Sequence, residues 1–203
     1  MLLLRKPSPA AVRDFLAGQI GLEFTYPAVG ATASVPPAGY VVDHTRIKLG
    51  EGETAFRSAR AALERWDEFD LGWVEAGPRD TPIRAGAVVA VTARVLGLWW
   101  LNACRVVYVV DDAEPVRRFG FAYGTLPGHA ESGEERFLVE WDRADDSVWY
   151  DILAFSRPAH VLARLGYPLT RRVQKRFARG SAAAVLRAVS SSPVIRNRVD
   201  CFL

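Results

Sequence analysis

The hydropathy period changes several times along the chain, and each change marks an element. Residues 40–49 alternate apolar and polar side chains with a period of two, the signature of a half-buried strand. Over residues 53–69 the period lengthens. Phe56, Ala59, Leu63 and Trp66 recur every third or fourth position, which predicts a helix. Only strand patterns follow, near residues 71–76, 87–96, 101–111, 116–124, 134–142 and 147–155. Gly77-Pro78, Asp111-Asp112, the glycine-rich segment after Tyr123 and Asp145-Asp146 supply the turns. The short spacing favours antiparallel connections, because a parallel crossover needs more chain. Helical spacing returns over residues 157–189, with Ser156 as the expected cap, Pro158 in the first turn and a kink at Gly166 and Pro168. Leu169, Val173, Phe177, Gly180, Ala184 and Ala188 fall on one side of this helix. Arg171, Arg172, Lys175, Arg176 and Arg179 fall on another. Upstream, Ser8-Pro9 opens a short helix through Ala17, and residues 25–39, rich in proline and glycine, read as an ordered loop or linker.

The order is strand, helix, six strands, long helix. It predicts an α+β protein in which an antiparallel sheet of about seven strands is gripped by a long C-terminal helix. Residues 1–39 read as an N-terminal extension, 40–190 as the helix-grip-like domain and 191–203 as a C-terminal tail. The topology resembles that of the lipid-transfer, polyketide-cyclase and pollen-allergen superfamily.

A more specific resemblance rests on motifs. They are Thr25-Tyr26-Pro27 with Val29-Gly30-Ala31-Thr32, Gly50-Glu51-Gly52-Glu53 with Phe56, and Cys104-Arg105-Val106-Val107-Tyr108. Phe119-Gly120-Phe121-Ala122-Tyr123-Gly124-Thr125-Leu126-Pro127-Gly128-His129, Ser132-Gly133-Glu134-Glu135 and Phe155-Ser156-Arg157-Pro158 continue the series. Together they resemble the uncharacterised family called domain of unknown function nineteen-ninety, over roughly residues 24–189. The resemblance implies a helix-grip fold and supplies almost no biochemistry.

Composition narrows the function classes. Half of the 203 residues are hydrophobic, so one domain with a sizeable core is expected. No run approaches the roughly 20 apolar residues of a membrane span. The N-terminal Met1-Leu2-Leu3-Leu4-Arg5-Lys6 reverses the charge order of a secretory signal, which points to a cytoplasmic protein. Cys104, in an apolar strand, reads as a buried thiol, and nothing calls for a disulfide to Cys201. The net charge of +3 is segregated. Residues 152–199 hold ten cationic side chains and no Asp or Glu, leaving a net of −7 elsewhere. A basic face of this kind is either solvated or meets an anionic partner, such as a membrane surface. It lacks the interleaved aromatics of a nucleic-acid reader, so no nucleic acid is expected.

Candidate chemistry is sparse. The loop 123–136 gathers His129, Glu131, Glu134 and Glu135 between glycines, which fits a shaped turn or a ligand contact better than a metal site. Gly120, Ala122 and Gly124 form a small-residue face on one strand, suited to the long helix or to a cavity floor. Arg105 and Asp151 stand on otherwise apolar strand faces, as structural ion pairs or as polar anchors of a pocket. Tyr123, His129, Arg105, Asp151 and Tyr108 are therefore the candidate ligand residues. Tyr108 is the weakest of them, because it and Arg105 cannot both face inward in a regular strand. Of Trp99-Trp100, one should lie on the outer face. That face needs cover from the N-terminal segment or from a second copy in a homodimer.

Three classes follow. The first is a binding module for an apolar or amphipathic small molecule, with its acidic or hydroxyl end at Arg105. The second is a cyclase- or hydrolase-type enzyme using the same cavity, with His129, a carboxylate and Tyr123 or Asp151 in mutual reach. The third is an interaction protein acting through the basic helix on a membrane or acidic partner. No cofactor and no metal are expected in any of them.

Overall fold

In the computed structural model, which describes residues 1–191, eight strands form one antiparallel sheet. The strands are β1 (Leu2–Leu3), β2 (Val41–Glu51), β3 (Val74–Gly77), β4 (Val88–Val95), β5 (Leu98–Asp112), β6 (Arg117–Thr125), β7 (Glu131–Trp141) and β8 (Ser147–Pro158). Their order across the sheet is β2-β8-β7-β6-β5-β4-β3, and β1 pairs with β5. Four α-helices are found among the described residues: α1 (Pro9–Ala17), α2 (Gly52–Glu64), α3 (Val161–Leu165) and α4 (Tyr167–Ser190). The α+β architecture with a gripping C-terminal helix is the one the element order predicts. The expected tail, with Cys201, lies almost wholly outside the described residues. No helix among the described residues is long and apolar enough to cross a membrane.

Local chemistry accounts for the boundaries. Ser8 caps α1 by accepting from the Ala11 amide, and Pro9 takes the first turn. The expected helix over 53–69 ends early. Trp66 adopts a left-handed conformation (φ 59°), and a 3₁₀ turn, Asp67–Phe69, follows. The Trp66 indole holds this exit, donating to the Thr81 carbonyl and stacking edge-on against Phe121.

The last helix also differs from expectation. Arg157 and Pro158 continue β8, and His160 rather than Ser156 caps the helix that begins at Val161. The break expected at Gly166 separates α3 from α4. Arg157 and Pro158 stay extended because they pair with Ser132 and Glu131 of β7, and a proline is tolerated at a strand end.

The core lies between the sheet and α2 with α4. Phe56, Leu63, Trp66, Phe69, Phe121, Phe137, Tyr150 and Val185 are fully buried there. The far half of α4 closes this core with Ser181, Ala182, Val185 and Val189. Gly180 lets Leu71 approach, and the Ser181 hydroxyl meets the Tyr150 hydroxyl at 2.9 Å. The near half stands off from the sheet, so Leu169, Val173 and Phe177 are only half-buried.

Beyond β1, the N-terminal segment from α1 to Thr32 lies on the outer face of the sheet. Phe24 and Tyr26 lie over Gly124, where a Cβ would overlap the Tyr26 hydroxyl. The small-residue face of β6 therefore receives the N-terminal segment, neither the long helix nor a cavity. Gly120 on the same face is closed off by the backbone of β7.

Candidate functional site

Where α4 diverges from the sheet, a cavity of about 890 Å³ opens. Its floor is the inner face of β4 to β8, with Val91, Trp100, Thr125, Ile152 and Ala154. Its roof is Phe69 and Trp73 with Leu162, Leu169, Val173 and Phe177. Its character is apolar, and its polar groups are clustered.

Strand parity brings those groups together. Tyr123 on β6 pairs in register with Glu135 on β7, so both side chains face inward, and the Tyr123 hydroxyl donates to Glu135 Oε2 at 2.8 Å. Burial pushes the Glu135 carboxyl up to about 7, partly offset by the Tyr123 hydrogen bond. Glu131, at the start of β7, is likewise raised to about 7 by burial, against the pull of Ser156 and Arg171. Its Oε1 is buried without a partner. Asp43 on β2 forms a fork with Arg171 of α4 at 2.5 and 2.6 Å, and Arg171 also reaches Gln174. The acid of that fork is matched, whereas Glu131 and Glu135 offer acceptor capacity to the cavity.

His129 lines the cavity too, but its Nδ1 lies 3.0 Å from both the amide and the carbonyl of Glu131. Burial pulls it down to about 4, so it is neutral near pH 7. His129 is thus bonded to its own turn, while Tyr123 is bonded to Glu135. Behind the cavity wall, Glu68 is fully buried with neither oxygen hydrogen-bonded, and burial drives its carboxyl well above the usual range. Among the described residues no group of three or more His, Cys, Asp or Glu side chains is placed to hold a metal ion.

Tyr123 and His129 are thus in the cavity, and the other three candidates lie on the outer face. A β-bulge between Val106 and Tyr108 inserts one residue into β5. It reverses the parity, so Arg105 opposite Gly124 and Tyr108 opposite Ala122 share one face, and that face points outward. Arg105 lies over the Phe24 ring and donates to the Gln19 carbonyl. The Tyr108 hydroxyl meets Thr32 at 2.8 Å. Asp151 is buried on the same face, bonded to His44 (2.6 Å) and Arg136 (2.8 Å), with Arg46 beyond at 3.4 Å. Those partners hold it below the usual carboxylate range despite the opposing effect of burial. Arg105 and Asp151 do not pair with each other. The neighbour of Glu135 in β7, Glu134, also faces outward and clamps the N-terminal segment.

The basic stripe of α4 divides. Arg171 is engaged by Asp43, and Arg176 stacks over Trp73 at 4.3 Å. Arg172, Lys175 and Arg179 are exposed and form no ion pair among the described residues, and Lys175 and Arg179 reach the cavity mouth. Trp100 faces the cavity, while Trp99 lies on the other face beneath Lys6 and Arg94.

Sequence reasoning named Glu131 and Glu135 within the loop but did not single them out. Alternation counted back from Phe137 would have found Glu135. No sequence signal marks Asp43 as the partner of Arg171, because they are 128 residues apart.

Known proteins resemble this chain at two levels. A hypothetical protein of Helicobacter pylori superposes with a TM-score of 0.50 at 11% identity, covering 81% of this chain and 95% of that one. A START superfamily protein from Mycobacterium smegmatis does so with a TM-score of 0.47 at 10% identity, covering 73% and 99%. In sequence, a UPF0548 protein of Dictyostelium discoideum is 35% identical over 97% of this chain and 100% of its own length. A UPF0548 protein of Deinococcus radiodurans is 39% identical over 93% and 98%. Residues 25–184 match the family described as domain of unknown function (DUF1990), and with relatives this similar along their whole length the chain belongs to that family.

Proposed function

We propose that the protein is a binding module for an apolar or amphipathic small molecule, working in the cytoplasm. The cavity between the sheet and the near half of α4 carries this reading. Its volume of about 890 Å³ falls in the range of small-molecule sites, roughly 300–1,000 Å³. It combines apolar walls with a few convergent polar groups, as such sites do. The anchors are Tyr123, Glu135 and Glu131, with His129 at the end of the cavity, rather than Arg105. Glu131 Oε1 is buried without a partner and Glu135 accepts from Tyr123 alone, so both carboxyls have room for one more donor, such as a hydroxyl or an amine at the polar end of the ligand.

Native mass spectrometry of the purified protein, with displacement of an environment-sensitive dye by long-chain alcohols, amines and carboxylic acids, tests this. The expected result is one bound dye per chain, displaced by alcohols or amines more readily than by carboxylates. A protein that binds no dye and carries no adduct would overturn the reading.

A further inference from the structure

The cavity mouth has an apolar and cationic rim that ligand binding alone does not require. We propose that this rim, built from α3, the turn between β4 and β5 and the exposed cations of α4, docks on the surface of an anionic phospholipid bilayer. The inference stands apart from the identity of any ligand.

Three observations carry it. First, the largest exposed aliphatic side chains near the mouth are gathered there. Leu96 is 80% exposed, Leu165 79% and Val161 64%, and Leu96, Leu162 and Leu165 line one opening. Solitary exposed leucines are ordinary, but several on one rim form a patch. Second, the Leu96-Gly97 turn has both residues at positive φ, 52° and 81°. Such a two-residue turn favours Asn or Gly at its first position, and a leucine there is strained. The strain places a large apolar side chain in solvent, where it contributes nothing to the core. Third, the charge beside the patch is of one sign. Arg172, Lys175 and Arg179 are exposed without an ion pair among the described residues, and residues 152–191 contain no Asp or Glu.

Leucines that insert beside cations that stay in the headgroups are the make-up of an interfacial surface. Nucleic acid would use the cations and leave the leucines in water, whereas a bilayer takes up both. The cavity would then open toward the lipid.

Sedimentation with phosphatidylcholine vesicles, with and without phosphatidylserine, tests the proposal across a salt series. Binding is expected to rise at least about tenfold with phosphatidylserine and to fall steeply by roughly 0.5 M salt. Leu96→Ser with Leu165→Ser, and separately Lys175→Glu with Arg179→Glu, should each weaken binding about tenfold or more. Ile20→Ser, at an exposed apolar residue of the N-terminal segment, should bind like the parent. The two leucines are mostly in solvent, so thermal melts of the leucine variant should match the parent. As a reading on the unmutated protein, vesicles with brominated acyl chains should quench tryptophan emission, because Trp99 and Trp100 share the strand that follows the turn. No binding at low salt, or an unweakened leucine variant with no bromine quenching, would overturn the proposal. In the second case the basic face would be a purely electrostatic site.

Discussion

Glu134 should be the residue on which attachment of the N-terminal segment depends. Its carboxylate, 2% exposed, accepts from the Tyr26 hydroxyl at 2.7 Å, the Gly30 amide at 2.6 Å, the Thr32 amide at 2.9 Å and the Thr32 hydroxyl at 2.5 Å. Glu134→Ala strands the Tyr26 hydroxyl and the two amides, while the Thr32 hydroxyl can turn to Tyr108. A donor that stays buried without a partner costs about 1–3 kcal/mol. The segment can swing out and rewet its donors, which caps the sum, so a loss of about 3–5 kcal/mol is expected. For a chain of this size each kcal/mol moves the melting temperature by about 2–4 °C, a fall of roughly 6–20 °C. Glu134→Gln keeps the shape but turns an NH₂ toward donors, and should lose nearly as much. Gly124→Ala drives a methyl into the Tyr26 hydroxyl and releases the same segment by another route. The two changes share one consequence, so the double variant should lose less than their sum by more than about 1 kcal/mol. Urea unfolding gives the energies, and thermolysin cleavage within residues 24–35 reports the release. A Glu134→Ala variant that loses under about 1 kcal/mol and resists thermolysin like the parent would refute the argument.

Other expectations follow from the same geometry. Glu131 and Glu135 sit at about 7 in the fold against an ordinary 4.5, so the folded state holds protons that the unfolded chain has released. Their contribution is complete below about pH 4.5 and is lost as pH rises through about 7, on the order of 1–3 kcal/mol each after screening through the open mouth. Glu135→Gln should therefore gain on the parent in urea midpoint between pH 5 and pH 8, and parallel profiles would contradict the assignment. Asp151→Ala removes the ion pair of Arg136 and leaves that guanidinium on the Thr32 carbonyl, which should cost about 3 kcal/mol in denaturant melts; a loss under about 1 would show that solvent takes over its role. Ala93→Phe adds a ring to the cavity wall, so dye binding should vanish while the melting temperature changes little. Retained dye binding would place the occupied site elsewhere.

The sheet, α2 and the C-terminal helix were legible because period two and period 3.6 are local properties of the chain. The end of β8 was not. Ser156-Arg157-Pro158 has the composition of a helix start, but Glu131 and Ser132 pair with Pro158 and Arg157 and keep them extended. The site failed to read through for a similar reason. Parity tells which residues share a face only while the strand stays regular, and the bulge beyond Val106 carries no glycine or other marker. A charge on an apolar strand face needs partners, and Asp151, buried among His44, Arg46 and Arg136, has them, while Arg105 is half-buried and reaches the Gln19 carbonyl. What alternation could not reveal was which side of the sheet they face. That is settled by residues such as Phe24, Thr32 and His44, far away in sequence.

The clamp between Tyr26 and Glu134 spans 108 residues, and Thr25 and Thr125 meet across 100. During synthesis the first partner leaves the ribosome long before the second exists. At about 5–20 residues per second the interval is roughly 5–20 s. Throughout it Phe24 and Tyr26 have no sheet to lie on, so the part of the chain made first cannot dock until β6 and β7 exist. A nascent chain is thus born with an aromatic segment open to chaperones, or to the wrong neighbour on a crowded polysome, until β6 and β7 have emerged.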